Sequence, residues 1–234
     1  TESGASSTWV FSNHDVVRHA TRYGLPQGGG KHAQGQDGKG WLLAGAPPEE
    51  LDVELGLRRA RAATLLMLAL PGSAYLYQGE ELGLQEVAEI PDADRQDPTF
   101  FRNKGVEIGR DGCRVPLPWA PEGTSFGFGT GGAHLPQPAW FSRYAVAALD
   151  GVEGSTLELY RKALKLRREL QTSEELQWQE SGSADVLHFS RPGGWQTVTN
   201  FGDVPVDLPA GEVLVSSGPL DGGQLPANTT VWLR

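Results

Sequence analysis

The chain has 234 residues with a formal net charge of -9; 38% of residues are hydrophobic and 21% charged. That composition is ordinary for a globular protein with a buried core. The acidic balance argues against nucleic acid as a main partner, because phosphates are repelled. One cysteine, Cys113, excludes an internal disulfide and suits a reducing compartment.

"TESGASSTWV" lacks the basic-then-apolar order of a signal peptide. The longest apolar stretch, "AATLLMLAL" (62–70), ends at Pro71-Gly72 and is too short to cross a bilayer. A cytoplasmic protein without membrane partners is expected. "TWVF" (8–11) reads as the end of a strand, followed by the polar "SNHD". The Gly-, Lys- and Gln-rich stretch 24–40 reads as a mobile surface loop. Residues 47–72 read as one long helix, with prolines before it, acids in its first turn and Pro71-Gly72 as its stop. Ala74 to Tyr77 then fits a short buried strand. Strand, loop, helix, strand is the order of a parallel α/β fold.

Residues 91–138 hold seven of the sixteen prolines, so an irregular excursion without regular helix is expected. "STLELYRKALKLRREL" (155–170) reads as an amphipathic helix, and Ser155 with Glu158 has the capping-box spacing. Beyond residue 178 the apolar pattern changes to period two. "DVLHFSRPGGWQTVTNFG" reads as two strands around a turn, and "VPVDLP", "EVLVSS" and "TTVWLR" as further strands. The expected division is 1–175 for the α/β part and 176–234 for an all-β unit.

His14 and Asp15 stand just past a strand, where parallel α/β folds bind ligands. Such a pair serves hydroxyl recognition or stabilises positive charge; equally, it can order a turn. Glu80-Glu81 invites an acid/base role, but adjacent residues point apart, which favours a structural salt bridge for one and solvent for the other. In "GRDGCRVPLPW" (109–119), Arg110 and Arg114 can fix a neighbouring carboxylate in two-pronged geometry. Cys113 has no base beside it and reads as a bystander. No Cys/His cluster has metal-ligand spacing, so no metal and no cofactor are expected. "GGGKHAQG" lacks the phosphate-loop pattern, and the sequon at Asn228 matters only in a secreted protein.

Taken together, "FSNHDVVR", "LPGSAYLYQGEELGL" and "GRDGCRVPLPW" resemble, in order, segments of the α-glucosidases of glycoside hydrolase family 13, the α-amylase family. "LYRKALKLRREL" resembles the last barrel helix, and the β unit the C-terminal sheet domain. The resemblance implies an α/β fold: strands 7 and 8 of a (β/α)8 TIM barrel with their helices, followed by a small all-β domain. It implies a retaining, exo-acting α-glucosidase working on an α-glucoside or malto-oligosaccharide. Asp15 would be the third catalytic carboxylate, His14 would bind sugar hydroxyls, and Arg110 (or Arg114) would sit at the base of the subsite, paired with an acid. The nucleophile and acid/base belong to strands that nothing here resembles. The chain is therefore expected to be a fragment whose partner is the N-terminal half of the barrel, and to be inactive alone. Transglycosylating or isomerising relatives stay close alternatives. A carbohydrate-binding module built on Trp178, Trp195 and Trp232 is the non-enzymatic alternative.

Overall fold

The computed structural model describes residues 6–27 and 38–234. The first five residues and the 28–37 part of the glycine-rich stretch lie outside the described residues. In chain order the elements begin with β1 (Thr8–Val10), α1 (His19–Arg22), α2 (Lys39–Leu43), α3 (Val53–Ala69) and β2 (Ser73–Tyr75). Then come α4 (Pro98–Arg102), α5 (Asp111–Arg114), α6 (Val146–Leu149) and α7 (Thr156–Leu170). The remaining strands are β3 (Gln177–Trp178), β4 (Val186–Arg191), β5 (Trp195–Asn200), β6 (Val206–Asp207), β7 (Val213–Ser216), β8 (Gln224–Leu225) and β9 (Thr229–Leu233).

The chain forms two compact units. One contains residues 1–11, 58–75 and 158–234; the other contains 12–57 and 76–157. This grouping places the β-strands after residue 176 in one unit with β1, β2 and most of α3 and α7.

In the first unit β1 and β2 pair in parallel, with Trp9 opposite Ala74. Strand, helix, parallel strand is thus the observed order. The strand expected to be buried at 74–77 is shorter and half open. Tyr75 is 63% exposed, because a two-stranded sheet leaves its outer faces uncovered. An antiparallel sheet of five strands runs β3-β4-β5-β9-β7. The hairpin of β4 and β5 closes through Gly193 and Gly194, both at positive φ, as the "RPGG" turn requires.

The inner face of that sheet packs on α3 and α7. Phe189, Trp195, Val215 and Trp232 meet Leu65, Leu68, Leu159 and Ala163 in one buried cluster. Polar side chains also reach across to α3. The Trp232 indole donates to Leu65 O (3.0 Å), Thr230 Oγ1 to Ala62 O (2.8 Å) and Arg191 to Ala69 O (2.7 Å). Helix-end carbonyls need such partners, and Arg191 supplies one at the C-terminus of α3.

The long helix expected at 47–72 is broken. A 3-10 turn covers Pro48–Glu50, and α3 starts at Val53 because Asp52 accepts from Leu55 N (2.9 Å), an N-terminal cap. The excursion 91–138 holds the short helices α4 and α5, contrary to expectation. Pro98 opens α4 at a position that needs no amide, and Asp97 caps it through Thr99 N (3.0 Å). Ser155 precedes α7 and donates to Leu149 O (2.9 Å), while Glu158 binds Arg161.

Trp232 is fully buried and combines packing with an indole hydrogen bond. Trp232→Ala is expected to lower unfolding free energy by about 3–5 kcal/mol. Trp232→Phe should lose clearly less. Urea midpoints of the two variants check the order.

Candidate active site

The site lies wholly in the second unit and is built from two segments, 12–19 and 97–114. His14 and Asp15 follow the C-terminal end of β1 in the chain. Their loop is closed by Ser12 and His19. Ser12 Oγ and His19 Nδ1 share a buried hydrogen bond of 2.8 Å, and His19 N–H donates to the same hydroxyl (3.0 Å). Asn13 Oδ1 accepts from Asp15 N (2.8 Å), an Asx turn that orients the aspartate.

Asp15 Oδ1 accepts from Arg110 (2.7 Å) and Arg114 (3.2 Å). Arg114 Nε donates to His14 O (2.8 Å), and His14 Nε2 lies 3.5 Å from Asp15 Oδ2. All four residues singled out from the sequence are therefore in one place. The acid paired with Arg110 is Asp97, which the sequence reading left unnamed. Its side chain is fully buried and accepts from Arg110 Nε (2.6 Å), Nη2 (3.0 Å) and backbone N (2.8 Å). These bonds hold the Asp97 carboxyl well below the usual range. The bond from Arg110 first, and then the charges of His14, Arg110 and Arg114, also lower Asp15, which stays ionised and half-exposed.

The segment carrying the arginines is itself fixed. Asp111 accepts from the backbone of Gln96 and Asp97 (3.1 Å each). Gly112 allows close approach: a Cβ there would lie 2.4 Å from Glu86 Oε1 and 2.5 Å from Val87 O. Arg18, also not singled out beforehand, donates to Gln78 O (2.9 Å) and Cys113 O (3.0 Å) and covers the Tyr77 ring. Burial pushes the Cys113 thiol up to about 12, so it is no nucleophile.

Asp15 and Arg110 line a cavity of about 270 Å³ with Lys39, Thr99 and Glu107. Two carboxylates face two guanidiniums, so the cluster is close to neutral. Asp15 Oδ2 is left to accept from a ligand hydroxyl, and its negative charge can answer a developing cation. No group of three metal-ligating side chains occurs among the described residues.

Glu80 and Glu81 do not behave as a salt bridge and a solvated residue. Glu81 turns back to accept from Gly79 N (2.7 Å). Glu80 is buried, and neither of its oxygens has a hydrogen-bond partner among the described residues. Burial, with the Glu81 charge, pushes its carboxyl up to about 8. Burial pushes His19 down to about 3. The 3.5 Å contact between His19 and Glu80 is thus between two neutral groups at neutral pH.

A family model described as alpha amylase, catalytic domain, matches residues 50–175. The chain belongs to the α-amylase family, glycoside hydrolase family 13. A probable alpha-glucosidase of Rhizobium meliloti (strain 1021) is 36% identical over 162 residues, 68% of this chain and 24% of that protein. Maltase 1 of Drosophila virilis is 26% identical over 70% of this chain and 22% of its own length. Among solved structures, the alpha-glucosyl transfer enzyme XgtA superposes with a TM-score of 0.70 at 32% identity, covering 98% of this chain and 40% of that one. Trehalose-6-phosphate hydrolase of Bacillus licheniformis superposes with a TM-score of 0.70 at 20% identity, 99% of this chain and 43% of that one, a likeness of fold. The chain thus spans about a quarter of the first curated relative and two fifths of these structures.

Burial of these ionisable groups implies a pH signature. Glu80, and Glu86 with a carboxyl raised to about 7 mainly by burial, keep protons that the unfolded chain releases above 4.5. Their contribution is complete below 4.5 and is lost as pH rises through 7 to 8. His19 acts in the opposite sense, losing its contribution as pH falls from 6.5 towards 3. Between pH 6.5 and 8 only the carboxyls act. Stability should therefore fall across that window, and Glu80→Gln should flatten the fall; chemical denaturation at a series of pH values reads both. Ser12→Ala removes the hydroxyl that His19 Nδ1 and His19 N–H share and should cost about 1–3 kcal/mol, read by the same method.

Proposed function

We propose that this chain supplies the sugar-holding side of a retaining, exo-acting α-glucosidase that cleaves terminal α-glucosidic bonds of maltose-type oligosaccharides. The observation that carries the reading is the Asp15 carboxylate, fixed at one oxygen by Arg110 and Arg114 and open at the other beside His14. In this reading Asp15 is the third carboxylate of the site. Its free oxygen accepts from hydroxyls of the bound glucose, and its charge stabilises the oxocarbenium-like transition state. His14 binds neighbouring hydroxyls. Arg110 stands at the base of the subsite, anchored by buried Asp97.

Retention requires a nucleophile and an acid/base about 5–5.5 Å apart. Asp97, the other carboxylate on Arg110, is buried and fully engaged, and Glu80 and Glu81 turn to other tasks. The nucleophile and acid/base are therefore assigned to polypeptide that completes the barrel, the proposed partner of this chain. The proposed architecture is the last two βα units of a TIM barrel within 1–175, followed by the C-terminal β-sheet domain 176–234. The cytoplasm is the proposed compartment, on the strength of the single cysteine. No described helix is long and apolar enough to cross a membrane.

Glucosyl transfer to an acceptor other than water is the second reading, favoured by the likeness to XgtA at 32% identity. The non-enzymatic reading has less support. Trp195 and Trp232 meet at a tilt in the core, ring centroids 5.1 Å apart, and Trp178 alone of the three tail tryptophans is exposed.

In the complete enzyme, Asp15→Asn should lower kcat by on the order of a hundredfold or more, because the amide keeps the shape without the charge. Nitrophenyl α-glucoside turnover measures it; near-normal turnover would reduce Asp15 to a turn residue. The purified chain alone should not hydrolyse that substrate, with mass spectrometry checking that no second polypeptide accompanies it.

A further inference from the structure

The cavity beside Asp15, of about 270 Å³, has a wall to which the proposed function gives no task. Besides Asp15 and Arg110, its lining includes Lys39, Thr99, Glu107 and Ile108. Lys39 and Arg110 can only donate hydrogen bonds. Asp15 Oδ1 is taken by Arg110 and Arg114. Two carboxylate oxygens of the lining are left to accept from a ligand: Asp15 Oδ2 and Glu107 Oε1.

Glu107 is held in place at both ends. Its backbone N–H donates to Asn103 O (3.0 Å), in a turn that passes through Gly105 at φ 82°. Its Oε2 accepts from Asn103 Nδ2 (2.9 Å). Oε1 engages no other group among the described residues. The side chain is half-buried. A carboxylate already fixed in this way loses little rotamer freedom when a ligand arrives. Its open oxygen is suited to a hydroxyl, which makes a charge-assisted bond to it.

The carboxylates of Asp15 and Glu107 balance Arg110 and Lys39 in this lining, which suits a neutral polyol. In the proposed function the charge of Asp15 answers a cation at the anomeric carbon, so Asp15 stands by that edge of the ring. The opposite edge of a glucopyranose carries the 4-hydroxyl and the hydroxymethyl group. We propose that Glu107 is a specificity-determining residue whose Oε1 accepts from the 4- or 6-hydroxyl of the bound terminal glucose. A glucose extended at that oxygen has no proton to donate, so the same contact selects chain ends over internal units. The identity of the sugar rests on the proposed function; the open, fixed oxygen of Glu107 does not.

The test compares methyl α-D-glucopyranoside with its 2-, 4- and 6-deoxy analogues, titrated by saturation-transfer NMR on the 234-residue chain. In the wild type the 4-deoxy or the 6-deoxy sugar should bind at least about tenfold more weakly than the parent. In Glu107→Ala that gap should close, because the parent falls to the level of the analogue, while the 2-deoxy gap stays. Glu107→Gln keeps the volume and an acceptor for Asn103; it should close part of the gap and decides the matter if Glu107→Ala does not fold. Asn103→Ala separates recognition from support, and should leave the gap in place. A gap unchanged in both Glu107 variants, or a loss equal for every analogue, overturns the proposal. So does a wild type that binds none of these sugars, or one that binds glucose 6-phosphate more tightly than glucose, which would give the cavity to Lys39. Failure of the complete enzyme to turn over nitrophenyl α-glucoside would sink the proposed function and leave this contact standing, so the two failures are separable.

Discussion

A buried carboxylate must find a cation or give up its charge, and Asp97 finds Arg110. Nearly every bonding direction of that pair is used. Asp97 takes three N–H groups of Arg110 and caps α4, and Arg110 keeps one arm for Asp15. A planar guanidinium with a fixed fork is suited to this, since two of its edges can serve two carboxylates at once. The geometry of Asp15 is thereby transferred to a buried anchor. Without Asp97, Arg110 would be a long, exposed side chain with many rotamers, and Asp15 would be held by Arg114 and its own turn.

The same unit handles two other buried ionisable groups in the opposite way. His19 and Glu80 lie 3.5 Å apart, yet burial drives both to their neutral forms. Ion pairing inside a protein must offset the loss of hydration of two charges. For Asp97 three charge-assisted bonds do so, whereas Glu80 has no donor on either oxygen among the described residues. Hydrogen-bond supply, and not proximity of opposite types, separates the two outcomes.

The first unit relies on a different device. Its sheet and α3 are joined by apolar packing and by side chains that seek helix carbonyls, from Trp232, Thr230 and Arg191. Thr230 and Trp232 of β9 are buried without penalty because each has such a partner. The period-two pattern that marks β9 as a strand says nothing of these bonds.

The motifs around His14, Asp15, Arg110 and Arg114 were legible because each is a local string with family-specific order, and the parallel strand–helix–strand order was legible from hydrophobic runs and the Pro71-Gly72 stop. The hairpin at "RPGG" was legible because positive φ demands glycine. Other features depend on side chains far apart in the chain. Asp97 and Arg110 are joined only in space, and so are Arg18 and Cys113, or Thr21 and Gln85. The break at Asp52 and the helices α4 and α5 escaped because a cap can begin a helix inside a stretch whose composition argues either way. The sequence by itself determined which residue types gather where the chain leaves a strand, since backbone periodicity and turn chemistry are local. Tertiary structure alone decided which carboxyls are charged: Asp97 and Glu80 carry the same functional group, and only the donors that folding brings to one and denies the other set them apart.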